Sequence, residues 1–453
     1  MNDTKNKIAT IIGSGLVGSL WAIYLKKAGY IVNVYERRND MRLQKMSAGK
    51  SINLAMSYRG WKGLDDIGVG DEIRKISIPM YGRTMHGKDS STAYQPYGNE
   101  GQAIYSVSRW DINATLMSIA EKDGGVNIQF NQECINVNLE QGLATFKQTQ
   151  TGEITEAKAD VIFATDGAFS AARYNGMQKL DRFSYSQNYI EDGYREILLP
   201  ANEDGTHKLA TNTLHIWPRG RFMLIALPNF DGSYTCTLFM PFDGHEHCFN
   251  NLTTKEKVTD FFKEVFPDFY QLLPTVADAW DEHPLSSLAI IRCFPWTHGK
   301  LALMGDAAHA TVPFFGQGMN AGFEDCSVMW ELMQKHQENW TEVFKEYERI
   351  RKPNGDAVQD LSLYNYIVMR DRVADPAFLL LQKIERRINF LYPDKYFPLY
   401  SMVSFTNIEY QIAYNKGKEQ EAMIQQIITE KNISTSTTDE EIDTLIHEFM
   451  KNQ

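Results

Sequence analysis

The chain has 453 residues, enough for two or three domains, and carries 46 Lys plus Arg against 57 Asp plus Glu, a formal net charge of -11. No basic stripe is present, which excludes a nucleic-acid groove and favours a small-molecule enzyme. The five cysteines, Cys134, Cys236, Cys248, Cys293 and Cys326, form no CxxC pair, which excludes a disulfide framework or zinc ribbon and predicts reduced thiols in a cytoplasmic protein. No long apolar run or secretory signal is present, so neither a membrane anchor nor export is expected.

In chain order, Ile8 to Ile12 reads as a buried parallel strand, Gly13-Ser14-Gly15-Leu16-Val17-Gly18 as a tight turn, and Leu16 to Ala28 as a helix ended by Gly29. Ile31 to Tyr35 is a second strand that ends at Glu36. Strand, glycine turn, helix, strand and acid in this order predict a dinucleotide site. Glycines let backbone N–H groups approach a pyrophosphate at the helix N-terminus, and Glu36 can accept from a ribose hydroxyl.

Short strands are expected from Ile78 to Tyr97, as a hairpin centred near Ser90 that sets Arg83 opposite Tyr97 on one face. Asp160 to Thr165 is another buried strand, delivering Asp166-Gly167-x-x-Ser170-x-x-Arg173. Residues 178 to 285 are rich in strands, among them Phe222 to Leu227 and Tyr234 to Met240 around the Asp231-Gly232 turn. Leu301 to Met304 then runs into Gly305-Asp306 and a glycine-rich continuation from Pro313 to Gly322. Helices follow to about residue 430, and Thr438 with Glu441 makes a capping box for a last amphipathic helix.

These elements predict an α/β architecture. A Rossmann-like FAD-binding domain is expected from 1–76, 101–177 and 286–335, an inserted antiparallel β-sheet substrate domain from 77–100 and 178–285, and a C-terminal helical region from 336–453. His245-x-His247-Cys248 lies in a Gly/Asp-rich loop and is read as solvent-facing, so no metal is assigned. His309, among small residues, is read as structural.

The three signals, at Gly13 to Glu36, Asp166 to Arg173 and Gly305-Asp306, resemble in type and order the single-component, FAD-dependent aromatic monooxygenases. The resemblance implies bound FAD, with NADPH and O2 as co-substrates and oxygen activated as a flavin C4a-hydroperoxide. It assigns Gly13, Gly15, Leu16, Val17, Gly18, Glu36, Arg37 and Arg38 to the dinucleotide. Ala55, Arg109, Cys134, Asp166, Asp306, Gly318, Met319 and Asn320 are assigned to the rest of the cofactor.

Further segments are similar to those of family members that convert L-kynurenine to 3-hydroxykynurenine in tryptophan catabolism toward NAD. They include Ser51-Ile52-Asn53-Leu54-Ala55, Tyr105 to Arg109, Gly193-Tyr194-Arg195-Glu196, His215 to Arg219, Phe222 to Pro228 and Thr237 to Pro241. Asn365-Tyr366 before Met369-Arg370-Asp371, and Tyr400 to Phe405, complete the set. Arg83, Tyr97, Asn365 and Tyr400 would hold the amino-acid end of such a substrate. Leu214, Met223, Ile225, Leu227, Phe239, Pro313 and Phe314 would line the pocket for its ring. No side chain is assigned as acid, base or nucleophile, because the resemblance places the chemistry on the flavin. Phe315 stands where relatives often carry histidine, and the chain ends in a charged helix rather than the hydrophobic anchor of eukaryotic relatives. A monomer or homodimer is expected. A hydroxylase for another aromatic acid and a non-catalytic FAD-binding protein are the alternative readings.

Overall fold

A computed structural model describes residues 7–43, 53–98, 100–369 and 375–451. Ser51, Ile52, Arg370 and Asp371 lie outside the described residues. Among the described residues, four sheets and a helical C-terminal part surround a long cavity.

The first sheet has six strands in the order Thr297–His298, Leu301–Leu303, Val161–Ala164, Ile8–Ile12, Ile31–Tyr35 and Val126–Gln129. All pairs are parallel except the edge strand Thr297–His298. Its central strands are apolar on both faces because helices cover both sides, as parallel sheets require. Helix Leu16–Lys27 buries Leu20, Trp21, Tyr24 and Leu25 against it, and Gly29, at φ 82°, ends the helix in the left-handed conformation. The glycine turn thus leaves the carboxyl end of Ile8–Ile12 beside Val161–Ala164 and Ile31–Tyr35, where doubly wound sheets bind ligands.

The second large sheet has seven strands, ordered Ser286–Phe294, Ser184–Leu199, Tyr234–Pro241, Met223–Pro228, Thr213–Pro218, Gly82–His86 and Thr92–Pro96. It is antiparallel except where Gly82–His86 joins Thr213–Pro218 in parallel. It also runs past residue 285: the 16-residue strand Ser184–Leu199 is long enough to pair with Tyr234–Pro241 on one edge and Ser286–Phe294 on the other. One face packs on helices Lys255–Val265 and Pro267–Leu272 through Trp217, Leu224, Leu238, Phe262 and Phe269. The other face turns toward the cavity.

Helix Gly318–Lys335 lies against helices Leu16–Lys27 and Tyr58–Asp65, and Trp340–Ile367 packs on it. Helices Pro376–Leu391, Leu399–Phe405, Tyr410–Glu430 and Asp439–Lys451 follow. The last opens on the capping box: Glu441 N–H donates to Thr438 Oγ1, and Thr438 N–H donates to Glu441 Oε2. No described helix is long and apolar enough to cross a membrane.

Candidate active site

A continuous cavity of about 960 Å³ runs from the glycine turn, between the two large sheets, to the helices around Tyr400. At its first end Gly13 adopts φ 96°, and a Cβ there would stand 2.8 Å from Asp166 Cα. A Cβ on Gly18 would fall 2.0 Å from Gly13 O, so Gly18 lets the helix close onto the strand rather than facing the cavity. Gly15 is different: nothing lies within 4 Å of its Cβ position, which opens into the cavity. Leu16, Val17, Arg37 and Arg38 line the same end. Glu36 Oε2 accepts from Ser14 N–H at 3.0 Å and Oε1 from Arg38 N–H at 3.0 Å, which fixes its carboxylate at the rim.

The Gly305-Asp306 turn reaches the cavity from the other side. Gly305 has φ 58°, and its Cβ would meet Val17 Cγ2 at 2.9 Å, so the two glycine turns touch each other. Asp306, first residue of the short helix Asp306–His309, is exposed on the cavity wall. Behind it lies a group that the sequence reading missed. Asp325, fully buried, accepts from Gly305 N–H at 2.8 Å, pairs with His309 Nε2 at 2.7 Å and accepts from Arg351 Nε at 2.7 Å. Burial pushes the Asp325 carboxyl up, but His309 and Arg351 outweigh it and hold it at about 2. The signal was available: Asp325 lies on the buried stripe of Gly318–Lys335, with Ala321, Gly322, Met329 and Leu332, where a carboxylate must be paired.

Pro313–Phe315 forms a single 3-10 turn, Gly316 follows at φ 67°, and helix Gly318–Lys335 begins with Gly318 and Met319 on the wall. The Asn320 side chain does not line the cavity. It donates to Ala55 O at 2.9 Å and Gly316 O at 2.9 Å, and accepts from Ser57 N–H at 2.9 Å, so it ties the strand ending at Met56 to the start of the helix.

At the far end, Arg83 and Met85 project from strand Gly82–His86 into the cavity. The hairpin register is shifted from the expected one: Arg83 faces Gln95, and Tyr97 lies beyond the ladder with its N–H on Tyr81 O at 3.0 Å. The shift follows from a turn closed by Gly87 and Ser91, which centres the hairpin one residue earlier. The side chains still meet, with the Arg83 guanidinium 5.9 Å from the Tyr97 ring centroid. Tyr97 stacks on Tyr400 at 5.2 Å, and Tyr400 on Phe315 at 5.8 Å. Burial holds both phenols above their ordinary value, so they remain protonated donors. Asn365 Nδ2 donates to Phe314 O, which fixes the phenylalanine turn to helix Trp340–Ile367.

Two apolar clusters floor this end. Met223, Phe239 and Phe314 form one, with Phe314 at 5.1 Å from Phe239; Leu214, Leu227, Tyr97 and Tyr400 belong to the other, and Ile225 touches both. Pro313 lines the wall beside them, as do Ala55, Arg109, Cys134 and Asp166 nearer the first end. Burial pushes the Cys134 thiol up, so it is a packing group here. A second residue the sequence did not single out for chemistry is Glu196. Burial lifts its carboxyl to about 7 against the opposing pull of Arg109, and His283 Nδ1 stands 3.9 Å away. Among the described residues no group of His, Cys, Asp and Glu could hold a metal ion.

The description "FAD binding domain" belongs to the family model that matches residues 6–362. The kynurenine 3-monooxygenase of Flavobacterium johnsoniae is 47% identical over 449 residues, covering 99% of this chain and 99% of that one. The chain belongs to the kynurenine 3-monooxygenase family. The Sus scrofa member is 41% identical over 93% of this chain and 89% of its own length. A solved 2-methyl-3-hydroxypyridine-5-carboxylic acid oxygenase shares the fold, with TM-score 0.65 at 21% identity over 83% of this chain and 96% of that chain.

Membership in the kynurenine 3-monooxygenase family makes the protein an FAD enzyme, and the cavity suits that cofactor. Gly15 leaves room where any side chain would fill the space against the N-terminus of a 12-residue helix. Two buried polar atoms on the wall, Asp166 Oδ1 and Thr311 Oγ1, have no hydrogen-bond partner among the described residues and match a ligand rich in hydroxyl, phosphate and amide groups.

Proposed function

We propose that the protein hydroxylates L-kynurenine to 3-hydroxykynurenine with NADPH and O2: one oxygen atom enters the ring, the other leaves as water, and NADPH supplies two electrons. The observation that carries this reading is Arg83, whose buried Nε has no hydrogen-bond partner among the described residues, at one end of an apolar slot in the cavity that also holds the dinucleotide turn.

Bound FAD supplies the oxygen activation that no side chain can provide. The protein binds, orients and excludes water. Arg83 offers a planar fork to the substrate carboxylate, and the Tyr97 and Tyr400 hydroxyls donate beside it. Asn365 Nδ2 is occupied by Phe314 O, which leaves the amide oxygen as an acceptor for the α-ammonium. Met223, Ile225, Leu227, Phe239 and Phe314 surround the ring and keep water from the reacting carbon. The ring amine ortho to that carbon already donates electrons, so no protein base is needed. Leu16, Val17, Glu36, Arg37 and Arg38 serve the adenosine and pyrophosphate, and Asp306, Gly318 and Met319 the flavin end. Backbone N–H groups at the start of Gly318–Lys335 would favour negative charge on a flavin held at this end. Five buried, unpaired cysteines support a reducing, cytoplasmic setting.

The test is to purify the yellow protein and follow NADPH oxidation with and without L-kynurenine, identifying the product by mass. Kynurenine-stimulated oxidation with a product one oxygen atom heavier is expected. Oxidation that kynurenine does not stimulate, or peroxide without product, overturns the substrate assignment; stimulation by a different aromatic acid replaces it.

A further inference from the structure

Strand alternation sends Arg83 and Met85 into the cavity and turns Thr84 and His86 to the opposite face of the sheet. The parallel neighbour does the same: Leu214 and Ile216 line the cavity, while Thr213 and His215 turn away. Under the substrate end of the cavity, this back face carries a buried chain of hydrogen bonds. Asp268 Oδ2, on helix Pro267–Leu272, contacts His86 Nδ1 at 3.0 Å; His86 Nε2 contacts His215 Nδ1 at 2.9 Å; His215 Nε2 contacts Ala210 O at 2.8 Å. His86 is 5% exposed and His215 2% exposed, so water does not complete their valences.

The hydrogens can be counted. The Ala210 carbonyl only accepts, and the Asp268 oxygen that meets His86 also accepts from Trp217 Nε1–H at 2.7 Å. Three hydrogen bonds between two histidines and their flanking acceptors require three hydrogens, whereas two neutral imidazoles bring only two. The chain therefore holds one more proton than neutral histidines supply. Its place is the Asp268–His86 end. Asp268 provides the countercharge, and the Trp217 ring stacks on His86 at 4.0 Å and 18°, presenting a π face to a cation. Burial pushes His215 down to about 4, which keeps that ring neutral with its hydrogen directed at Ala210. The other charged or titratable groups facing the chain are Arg219, whose Nη1 donates to His86 O at 2.9 Å, and Tyr234, whose hydroxyl donates to Ala210 O at 3.1 Å. Neither offers a hydrogen to the two imidazoles.

We propose that Asp268, His86 and His215 are positioning residues for substrate binding: their shared third proton clamps helix Pro267–Leu272 to strands Gly82–His86 and Thr213–Pro218 and so fixes the strand that presents Arg83. This rests on the reading of Arg83 as the carboxylate anchor. When the third proton leaves, one bond of the chain is lost and the Asp268 carboxylate behind the sheet keeps only the Arg219 guanidinium as a facing cation. The site then holds its ligand less well although no residue lining it has titrated.

The experiment uses the FAD-loaded enzyme and two readouts. Histidine-selective 15N NMR on the wild type reports the ring protons directly. A doubly protonated ring whose signal is lost in His86→Gln and a singly protonated ring whose signal is lost in His215→Gln are expected; two singly protonated rings at neutral pH overturn the count. The kynurenine Kd, read from the flavin spectrum across mildly acidic to alkaline pH, is expected to rise roughly two- to tenfold as the third proton is lost, the worth of one net hydrogen bond. Asp268→Asn, which keeps an acceptor but removes the charge that retains the proton, should show the weaker Kd already at neutral pH and a flat profile, with kcat at saturating kynurenine unchanged. A Kd step of full size in Asp268→Asn overturns the positioning role. Arg83→Ala is the separate control: if it leaves Kd unchanged, the anchor reading fails whatever the NMR shows.

Discussion

Arg351 and Asp325 meet in the core through Nε and Oδ1 at 2.7 Å, and the second oxygen of the same carboxylate receives the N–H of Gly305, the residue before the exposed Asp306. An arginine thus sets, through Asp325, the geometry of the glycine turn on the cavity wall. Glu324, bonded to both Arg351 and Arg59, neutralises the second cation of the group.

Removing one partner leaves a buried charge without compensation. Arg351→Met is expected to destabilise the protein by roughly 3–5 kcal/mol and to weaken FAD retention, measured by denaturant unfolding and by flavin released on gel filtration. Acid titrates the same contact. Asp325 is held at about 2 against an ordinary 3.8, so its contribution is complete above pH 3.8 and is lost as the pH falls toward 2. Asp325→Asn should flatten that limb of the stability curve; an unchanged acid limb would refute the coupling.

Gly15 and Gly18 separate binding from folding. A Cβ at Gly15 meets nothing in the protein, so Gly15→Ala should fold normally and lose roughly ten- to hundredfold in FAD affinity by intruding on the bound ligand. Gly18→Ala puts a carbon 2.0 Å from Gly13 O and should lower the unfolding midpoint as well. Equal midpoints for the two variants would contradict this division.

What could be read from the sequence followed from locality. The strand, turn, helix and acid from Ile8 to Glu36 are neighbours in the chain, so spacing alone places them. The face of Arg83 was legible from strand alternation, but its register was not, because a turn that closes one residue earlier moves every partner. Asp325 with Arg351, and His86 with His215 and Asp268, come from segments far apart and are joined only by tertiary packing. Their one sequence trace is a polar residue at a position that periodicity assigns to the interior.

Glu196 acts on stability in the range from mild acid to neutrality. Burial raises its folded value to about 7 from an ordinary 4.5, so the folded state binds the proton more tightly than the unfolded chain. Stability attributable to this group is therefore full below pH 4.5 and declines as the pH rises through 7. Glu196→Gln should match wild type below pH 4.5 and exceed it by about 1–3 kcal/mol above neutrality, read from denaturant midpoints at several pH values. A constant difference across pH would remove Glu196 from the titration.

Arg83→Ala should raise the kynurenine KM roughly ten- to hundredfold, equivalent to about 1.5–3 kcal/mol for a lost charged hydrogen bond, while saturated kcat falls far less. Arg83→Lys should recover only part of the loss, since an ammonium cannot reproduce the planar fork. An unchanged KM in the alanine variant removes Arg83 from the site.

Tyr400 combines two functions that substitution can divide. Its ring is sandwiched between Tyr97 at 5.2 Å and Phe315 at 5.8 Å and meets Phe405 at 6.1 Å, so helix Leu399–Phe405 uses it to wall off the Arg83 end of the cavity. Its hydroxyl, kept protonated by burial, is the polar contribution. Tyr400→Phe preserves the stack and should raise KM roughly two- to tenfold with product per NADPH unchanged. Tyr400→Ala opens the wall to water, so NADPH oxidation should continue while peroxide replaces product. Parallel assays of NADPH consumed, peroxide formed and product made distinguish the two; an alanine variant with wild-type product yield would show that water is excluded elsewhere, by the Phe314 and Phe239 side chains alone.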